Sequence, residues 1–259
     1  MVEQVNRQIE SLLQARLHDP FGLLGLHHEG AEWVVRVYEP YATDVDLLNN
    51  DGAVALKRVH PAGVFEWRGS SKPNLPYRLR MHYGSATHEI CDPYQFPSHI
   101  SQQDLYLFSE GRLRQGYRML GSHAVEINDV KGVRFVVWAP NAERASVVGE
   151  FNNWDGRLHP MRLHGSSGVW ELFIPEIKQH ALYRYEIRTR DPGQLLTKPD
   201  PAAPVATWVR ALGEGAARAG TTLAAVDKLG HLKGVFASAT QTVGNEKSAE
   251  AARVQAAQL

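Results

Sequence analysis

The feature that most constrains the fold of this 259-residue chain is an internal duplication. Five short segments recur in the same order, each about 96 to 108 residues after its first occurrence. The matched pairs are LLGLHH with MLGSHA, YEP with WAP, LLNNDG with EFNNWDG, PYRLRMHY with LYRYEIRT, and Asp92-Pro93 with Asp200-Pro201. Because the spacing drifts only slowly, the two halves differ mainly in loop length. The sequence therefore predicts two copies of one domain in tandem.

Both copies have the period of two that is typical of β-strands. Tyr77, Leu79 and Met81 fall on one face of a strand, with Arg78 and Arg80 on the other. The matching strand of the second copy places Tyr183, Tyr185 and Ile187 opposite Arg184, Glu186 and Arg188. Short alternating strands separated by Gly, Pro and Asn turns predict antiparallel β-sandwiches, so we expect an all-β protein.

The two ends of the chain differ from this pattern. Val5, Ile9, Leu12, Leu13 and Leu17 have helical spacing, which predicts a short amphipathic N-terminal helix that stops before the Pro20 turn. Residues 202–259 are rich in alanine and glycine and show no period of two. We expect this C-terminal tail to be partly helical or disordered, without a core of its own.

Composition excludes several classes of function. Twenty-eight basic residues balance 28 acidic ones, so no net field would attract nucleic acid or an anionic membrane. The single cysteine, Cys91, rules out an internal disulfide, and no signal peptide or membrane-spanning segment is evident, so we expect the protein in the cytoplasm. The 12 histidines lack metal-ligand spacing, and we expect no metal site and no cofactor.

One tryptophan stands in a polar turn of the second copy, in the stretch VGEFNNWDG at 148–156. Asn, Asp and Gly favour turns at the surface, so the indole of Trp154 should be held on a rigid, exposed loop. The apolar face of a sugar ring suits such an indole. Candidate sugar-binding residues are therefore Trp154 as the platform, with Asn152, Asn153, Asp155 and Arg184 as partners for hydroxyl groups.

An alternative is that Trp154 folds back and caps the edge of its sandwich. The first copy keeps Asn49, Asn50, Asp51 and Gly52 but has no tryptophan between them, which suggests that the turn does not need the ring. This favours a ligand role for Trp154 and a scaffold role for the first copy. For the tryptophans in strand patterns, core or half-buried packing is the expectation; they are Trp33, Trp67, Trp138 and Trp170. Trp208 lies in the tail and has no assignment.

Four segments together resemble bacterial glycogen branching enzymes of the type with two N-terminal domains. They are HDPFGLLGLH at 18–27, GYRMLGSH at 116–123, GVRFVVWAPNAERASVVGEFNNWDGRLHPM at 132–161 and GVWELFIPEI at 168–177. The resemblance implies an extra N-terminal domain at residues 1–104. It also implies a family 48 carbohydrate-binding module, an immunoglobulin-like sandwich, at residues 105–201, leaving residues 202–259 without an assigned fold.

The resemblance also bears on the binding residues. Trp154 matches the tryptophan that serves as the sugar platform in glucan-binding members of this module family. Arg184 matches a basic residue that contacts hydroxyls after the strand tyrosine, here Tyr183. A second platform tryptophan of the strongest binders is replaced by Gln194-Leu195-Leu196, which implies weak binding.

Branching enzymes act through a (β/α)₈ barrel with a carboxylate nucleophile and a carboxylic acid as general acid/base. The family's barrel motifs DxxxNH and GFRxD do not occur in this chain, and its His-Asp pair at 18–19 belongs to the N-terminal HDPFGLLGLH segment, not to the later His-Asp pair of the barrel. Glu126, Asp129, Glu171 and Glu176 are expected to be solvated structural carboxylates. We therefore expect no catalytic residues and no branching activity from this chain alone. The expected partner is an α-1,4-glucan or glycogen; the alternative is a non-catalytic subunit that docks onto a separately encoded catalytic barrel.

Overall fold

The computed structural model describes residues 2–49, 52–177, 181–191 and 193–200. Its two helices are α1, Val2–Leu13, and α2, Gln102–Ser109. The strands of the first copy are β1 Gly25–Glu29, β2 Glu32–Tyr38, β3 Asp44–Asn49, β4 Gly52–Ala55, β5 Lys57–His60, β6 Val64–Gly69, β7 Arg78–Tyr83 and β8 Ala86–Cys91. The strands of the second copy are β9 Gly121–Ile127, β10 Val130–Trp138, β11 Ala142–Gly149, β12 Arg162–Leu163, β13 Val169–Pro175, β14 Tyr183–Thr189 and β15 Leu195–Lys198.

The first copy is a sandwich of two four-stranded antiparallel sheets, in the orders β1-β2-β6-β5 and β4-β3-β7-β8. The inward faces of both sheets bury apolar side chains, among them Val35, Phe65, Leu47 and Leu79. Tyr77, Leu79 and Met81 all lie in this core, so the predicted phase of their segment is confirmed.

The second copy repeats this arrangement with the sheets β12-β13-β10-β9 and β11-β14-β15. Phe135, Val147, Trp170 and Tyr185 form part of the core between them. The all-β class with two tandem immunoglobulin-like sandwiches is thus confirmed. The division between the domains at residues 104 and 105 stays a proposal, because residues 1–201 form one compact unit.

The duplication extends to individual hydrogen bonds. The Tyr77 hydroxyl donates to the buried carboxylate of Asp92, and the Tyr183 hydroxyl donates to that of Asp200, which is also buried. A histidine near the start of the first strand contacts a leucine carbonyl oxygen three residues earlier in each copy, with Nε2–O distances of 3.0 Å for His27 and 2.8 Å for His123. These pairs sit at equivalent places, as expected of two copies of one fold.

The N-terminal helix is confirmed, but it is shorter than its apolar pattern. Helix α1 ends at Leu13 because Ala15 has a φ of 55°, outside the helical region. Ile9, Leu12 and Leu17 are nevertheless buried together with Tyr38 and Val64, so the segment covers the first sandwich. Among the described residues, no helix has the length and apolarity needed to cross a membrane.

Helix α2, which the sequence pattern did not predict, joins the two sandwiches. Its N-cap is Ser101, whose Oγ accepts a 3.0 Å hydrogen bond from Asp104 N. Leu105 and Phe108 pack with Val136 and Val169 of the second sandwich. The helix has only eight residues, so its apolar side chains do not form a recognisable helical spacing in the sequence. The predicted character of the tail at 202–259 lies outside the described residues.

The prediction for the strand tryptophans holds for three of the four. Trp170 is buried and its Nε1 donates to Ala139 O at 3.0 Å, while Trp33 and Trp67 are half-buried. For Trp138 the prediction is wrong, because its side chain is 54% exposed. Trp138 is the last residue of β10, and its side chain lies on the outward face of the strand, whereas that of Val137 lies in the core. Helix α2 covers Val136 on this outward face but leaves the Trp138 indole exposed.

Candidate functional site

The turn after β11 completes the hydrogen bonding of that strand's free edge. Segment 159–161 pairs with the middle of β11, with Val147 N donating to His159 O at 3.1 Å. Beyond this point the side-chain amide of Asn152 forms the hydrogen bonds that the backbone of a neighbouring strand would otherwise form with β11. Its Oδ1 accepts from Gly149 N at 2.9 Å, and its Nδ2 donates to Val147 O at 2.8 Å. Trp154 N then donates to Gly149 O at 2.9 Å. The chain is therefore fixed at both sides of the indole.

Asn152 accordingly has a structural role rather than the predicted contact with sugar. It is only 3% exposed, and its Nδ2 also lies 2.9 Å from His159 Nδ1. Burial lowers the pKa of His159 to about 4, so the imidazole is neutral near pH 7 and Nδ1 can accept this hydrogen bond. With every group of the amide engaged, we reassign Asn152 from ligand binding to the scaffold of the turn.

Trp154 is placed outward by two consecutive residues in the left-handed region. Asn153 has a φ of 53° and Trp154 a φ of 60°. Such conformations are uncommon for residues other than glycine and persist where the surroundings fix them. The Trp154 side chain is 43% exposed and belongs to none of the buried clusters of the described residues. Asn153 is exposed beside it, so both remain available to a ligand.

Asp155 is more constrained than the sequence indicates. Its carboxylate is in a salt bridge with Arg157, with an Nη2–Oδ2 distance of 2.7 Å, and it accepts from the Tyr41 hydroxyl at 3.3 Å. Burial acts to raise the pKa of Asp155, but hydrogen bonds and charge from Arg157 outweigh this and lower it. Asp155 is therefore ionised near pH 7, and its oxygens have protein donors on more than one side.

Arg184 is exposed on β14 and is paired in register with Val148, next to the start of the turn. The turn crosses the same outward face of the sheet. Gly156 rests against Glu186, two residues from Arg184, so closely that a Cβ on Gly156 would lie 1.9 Å from Glu186 Oε1. Arg184 therefore lies on the face of the sheet that the turn crosses.

Sequence reasoning missed the group beneath this turn, the buried guanidinium of Arg144. It is 1% exposed, pairs with Glu186, and donates to Gly156 O at 2.6 Å and Ser146 Oγ at 2.8 Å. An arginine at an alternating outward position normally predicts a solvated side chain. Only the return of the turn across the sheet shows that it is covered.

The first sandwich also holds this turn in place. The Tyr94 hydroxyl lies 3.1 Å from Leu158 O and 3.3 Å from Pro160 O. The Leu158 side chain packs against the cluster beneath α1, and the Arg157 guanidinium lies 5.8 Å from the centre of the Tyr38 ring. The segment that carries Trp154 is thus fixed by both copies, in agreement with a scaffold role for the first.

The comparison of the two turns is weaker than the sequence suggests. In the first copy β3 and β4 form a hairpin in which Asn49 pairs with Gly52, whereas the second copy has a 3₁₀ turn at Glu150–Asn152 and a longer return. The described residues that follow β3 and β11 are therefore arranged differently. The case for a ligand role of Trp154 consequently depends on its exposure and fixed backbone, not on the missing tryptophan of the first copy.

Two further expectations concern side chains near the site and elsewhere. At the position of the family's second platform, Leu195 is 50% exposed on β15, an aliphatic side chain without a flat ring. Glu171, expected to be solvated, is instead buried: it accepts from His99 N at 2.9 Å and lies 2.9 Å from His164 Nε2. Within the described ranges, no group of three His, Cys, Asp or Glu side chains could hold a metal ion.

Comparison with known proteins identifies two family models. Residues 5–94 match the N-terminal domain of alpha-1,4-glucan branching enzyme GlgB, and residues 119–203 match carbohydrate-binding module 48, the isoamylase N-terminal domain. These two ranges include the two sandwiches described above.

Similar proteins include two named 1,4-alpha-glucan branching enzyme GlgB. The one from Nitrosospira multiformis is 55% identical over 201 residues, 76% of this chain and 27% of that protein. The one from Methylobacillus flagellatus is 51% identical over 193 residues, 74% of this chain and 27% of that protein. The chain thus spans about a quarter of the length of these relatives. Among solved structures, a pullulanase from Anoxybacillus sp. LM18-11 is 14% identical to this chain. The matched region covers 70% of this chain and 26% of the pullulanase, with a TM-score of 0.28.

Proposed function

Because this chain carries the N-terminal region of a 1,4-alpha-glucan branching enzyme, its first domain followed by a family 48 carbohydrate-binding module, we propose that it binds an α-glucan such as glycogen. The single observation that supports this most is the indole of Trp154, exposed on a turn whose backbone is fixed on both sides. Trp154 is the platform in this proposal. Asn153 and Arg184 form hydrogen bonds with sugar hydroxyl groups. Asp155 can accept further hydrogen bonds from hydroxyls only where its carboxylate oxygens are not already engaged by Arg157 and Tyr41.

The size of the exposed ring sets the strength of binding. A tryptophan presents up to about 250 Å² of surface, so 43% exposure leaves on the order of 100 Å² for a ligand. At about 25 cal/mol per Å² this gives roughly 2.5 kcal/mol of gross apolar gain. Ordering the sugar and losing translational freedom oppose it, so we expect a Kd of roughly millimolar to tens of micromolar.

Affinity electrophoresis in native gels containing glycogen tests this proposal. We expect the wild-type chain to be retarded and Trp154→Ala to lose most of that retardation, with at least about a tenfold weaker affinity because about 1.4 kcal/mol corresponds to tenfold. The matched control is Trp138→Ala, which removes an exposed tryptophan elsewhere on the same sandwich. If Trp138→Ala abolishes retardation and Trp154→Ala does not, the sugar site is not at Trp154.

We also propose that this chain does not catalyse branching by itself. Its sequence carries none of the family's barrel motifs, and the described carboxylates of the site are engaged in salt bridges and hydrogen bonds. Incubation with amylose followed by iodine staining measures the activity directly. We expect unchanged blue colour, and a progressive loss of colour would show glucan transfer.

A second candidate function is docking onto a catalytic barrel, encoded in the same protein or separately. The observation that favours it is an exposed aromatic group around α2: Trp138 is 54% exposed and Tyr106 is 59% exposed, with Phe108 edge-on to Trp138 at 5.9 Å between ring centres. Trp138→Ala separates the two candidates, since it should weaken co-purification with a barrel protein and leave glucan retardation intact.

A further inference from the structure

The Trp154 turn meets an exposed aromatic residue of the other sandwich. Tyr41 lies in the connection between β2 and β3, and its ring is 52% exposed. Its hydroxyl reaches Asp155 Oδ2 at 3.3 Å, across a sequence separation of 114 residues. Asp155 is the next residue after Trp154. An exposed tyrosine of the first sandwich therefore contacts the residue that follows the exposed Trp154 of the second.

The connection that carries Tyr41 is as firmly built as the Trp154 turn. Glu39 N donates to Gly63 O at 2.8 Å, and Tyr41 N lies 3.4 Å from Glu39 Oε1. Gly63 has a φ of 95°, and a Cβ at this position would lie 2.5 Å from the Cα of Pro40, so the backbone can approach only because residue 63 is glycine. A ring held on such a connection loses little conformational freedom when it meets a ligand.

We propose that Tyr41 is a second aromatic platform of the Trp154 site, so that one α-glucan chain contacts both sandwiches. This inference rests on the proposed function. A tyrosine offers a flat apolar face and a polar edge, which suits stacking against the C–H face of a glucose unit. The Asp155 carboxylate orients the Tyr41 hydroxyl, and Tyr41 stays 52% exposed. Tyr41 thus offers a flat aromatic surface, which the exposed aliphatic side chain of Leu195 does not.

The bridging arrangement also defines the ligand. A single indole needs only one or two glucose units, whereas two platforms on different sandwiches need a chain that extends from one to the other. The site should therefore prefer longer α-1,4-linked oligosaccharides, such as maltoheptaose, to the disaccharide maltose. In this respect the first sandwich contributes binding surface as well as support.

Isothermal titration calorimetry of the full chain with maltoheptaose and with maltose tests the inference. Four variants are compared with wild type: Tyr41→Ala, Tyr41→Phe, Tyr117→Ala and Trp154→Ala. Tyr41→Ala should weaken maltoheptaose binding about three- to tenfold, given its exposed area, and should change maltose binding less. Tyr41→Phe keeps the ring and loses only the hydrogen bond to Asp155, so it should bind within about twofold of wild type. Tyr117→Ala, which removes a tyrosine that is 64% exposed elsewhere, should have no effect.

The outcomes separate the inference from the proposed function. If Trp154→Ala abolishes binding while Tyr41→Ala leaves it unchanged, the second platform is refuted and the proposed function stands. If Tyr41→Phe weakens binding as much as Tyr41→Ala, Tyr41 acts only by positioning Asp155 and the platform is likewise refuted. If Trp154→Ala has no effect, the proposed function itself fails. Thermal unfolding of each variant establishes that the comparison is made between folded proteins.

Discussion

Replacing the buried Asn152 by alanine should destabilise the Trp154 turn. The substitution removes the side-chain partner of Gly149 N and of Val147 O, together with the contact to His159 Nδ1. Because residue 152 is only 3% exposed, water cannot reach these groups without a local opening. A buried donor or acceptor left without a partner costs about 1–3 kcal/mol, so we expect a loss of about 2–4 kcal/mol in the free energy of unfolding.

Urea denaturation followed by circular dichroism measures this loss. The control is Asn153→Gly, one residue away, which is exposed and whose φ of 53° suits glycine. We expect the control to change the unfolding free energy by less than about 0.5 kcal/mol. A loss below about 1 kcal/mol for Asn152→Ala would refute the view that this amide completes the edge of β11, and Asn152 would return to the set of candidate sugar contacts.

Two other predictions concern carboxyl groups of the first sandwich, the half-buried Glu39 and the buried Asp92. Burial, with the nearby charge of Asp155, raises the pKa of Glu39 to about 7, so folding favours its neutral form and wild type loses stability as pH rises from about 4.5 to 7. Glu39→Gln should remove this loss, so its free energy of unfolding should rise relative to wild type by on the order of 2–3 kcal/mol across that interval, at about 1.4 kcal/mol per pKa unit. Urea titrations at several pH values measure this difference. Parallel pH profiles of the two proteins would contradict the prediction. Tyr77→Phe removes the donor to Asp92, whose pKa burial raises to about 6. It should cost about 1.5–3 kcal/mol at pH 8, where Asp92 is ionised, and less at pH 5; an equal cost at both pH values would show that the charge of Asp92 does not matter.

Much of the fold follows from the duplicated pattern. The phase of Tyr77, Leu79 and Met81 on one strand predicts a buried face, and the same strand in the second copy behaves alike. Periodicity works here because each strand has one face against a core and one outward. It fails for Trp138, because alternation gives the face of a residue but not whether a neighbouring segment covers that face.

The exposed indole of Trp154 could be predicted from turn chemistry, since Asn, Asp and Gly seldom form a buried loop. The roles of its neighbours could not. Asn152 and Asn153 are identical in sequence terms, yet one amide pairs with the edge of β11 and the other faces outward. The contact between Tyr41 and Asp155 cannot be predicted either, because these residues are 114 positions apart and meet only through the packing of the two sandwiches.

The most direct test of a glucan platform at Trp154 is the nuclear magnetic resonance signal of its indole N–H during a titration with maltoheptaose. Comparison with Trp154→Phe assigns this signal among those of the six tryptophans in the chain. We expect the Trp154 signal to shift in a saturable manner while that of Trp138 stays in place. A Trp154 signal that does not move at saturating sugar, or saturable movement of the Trp138 signal alone, would contradict the proposed site.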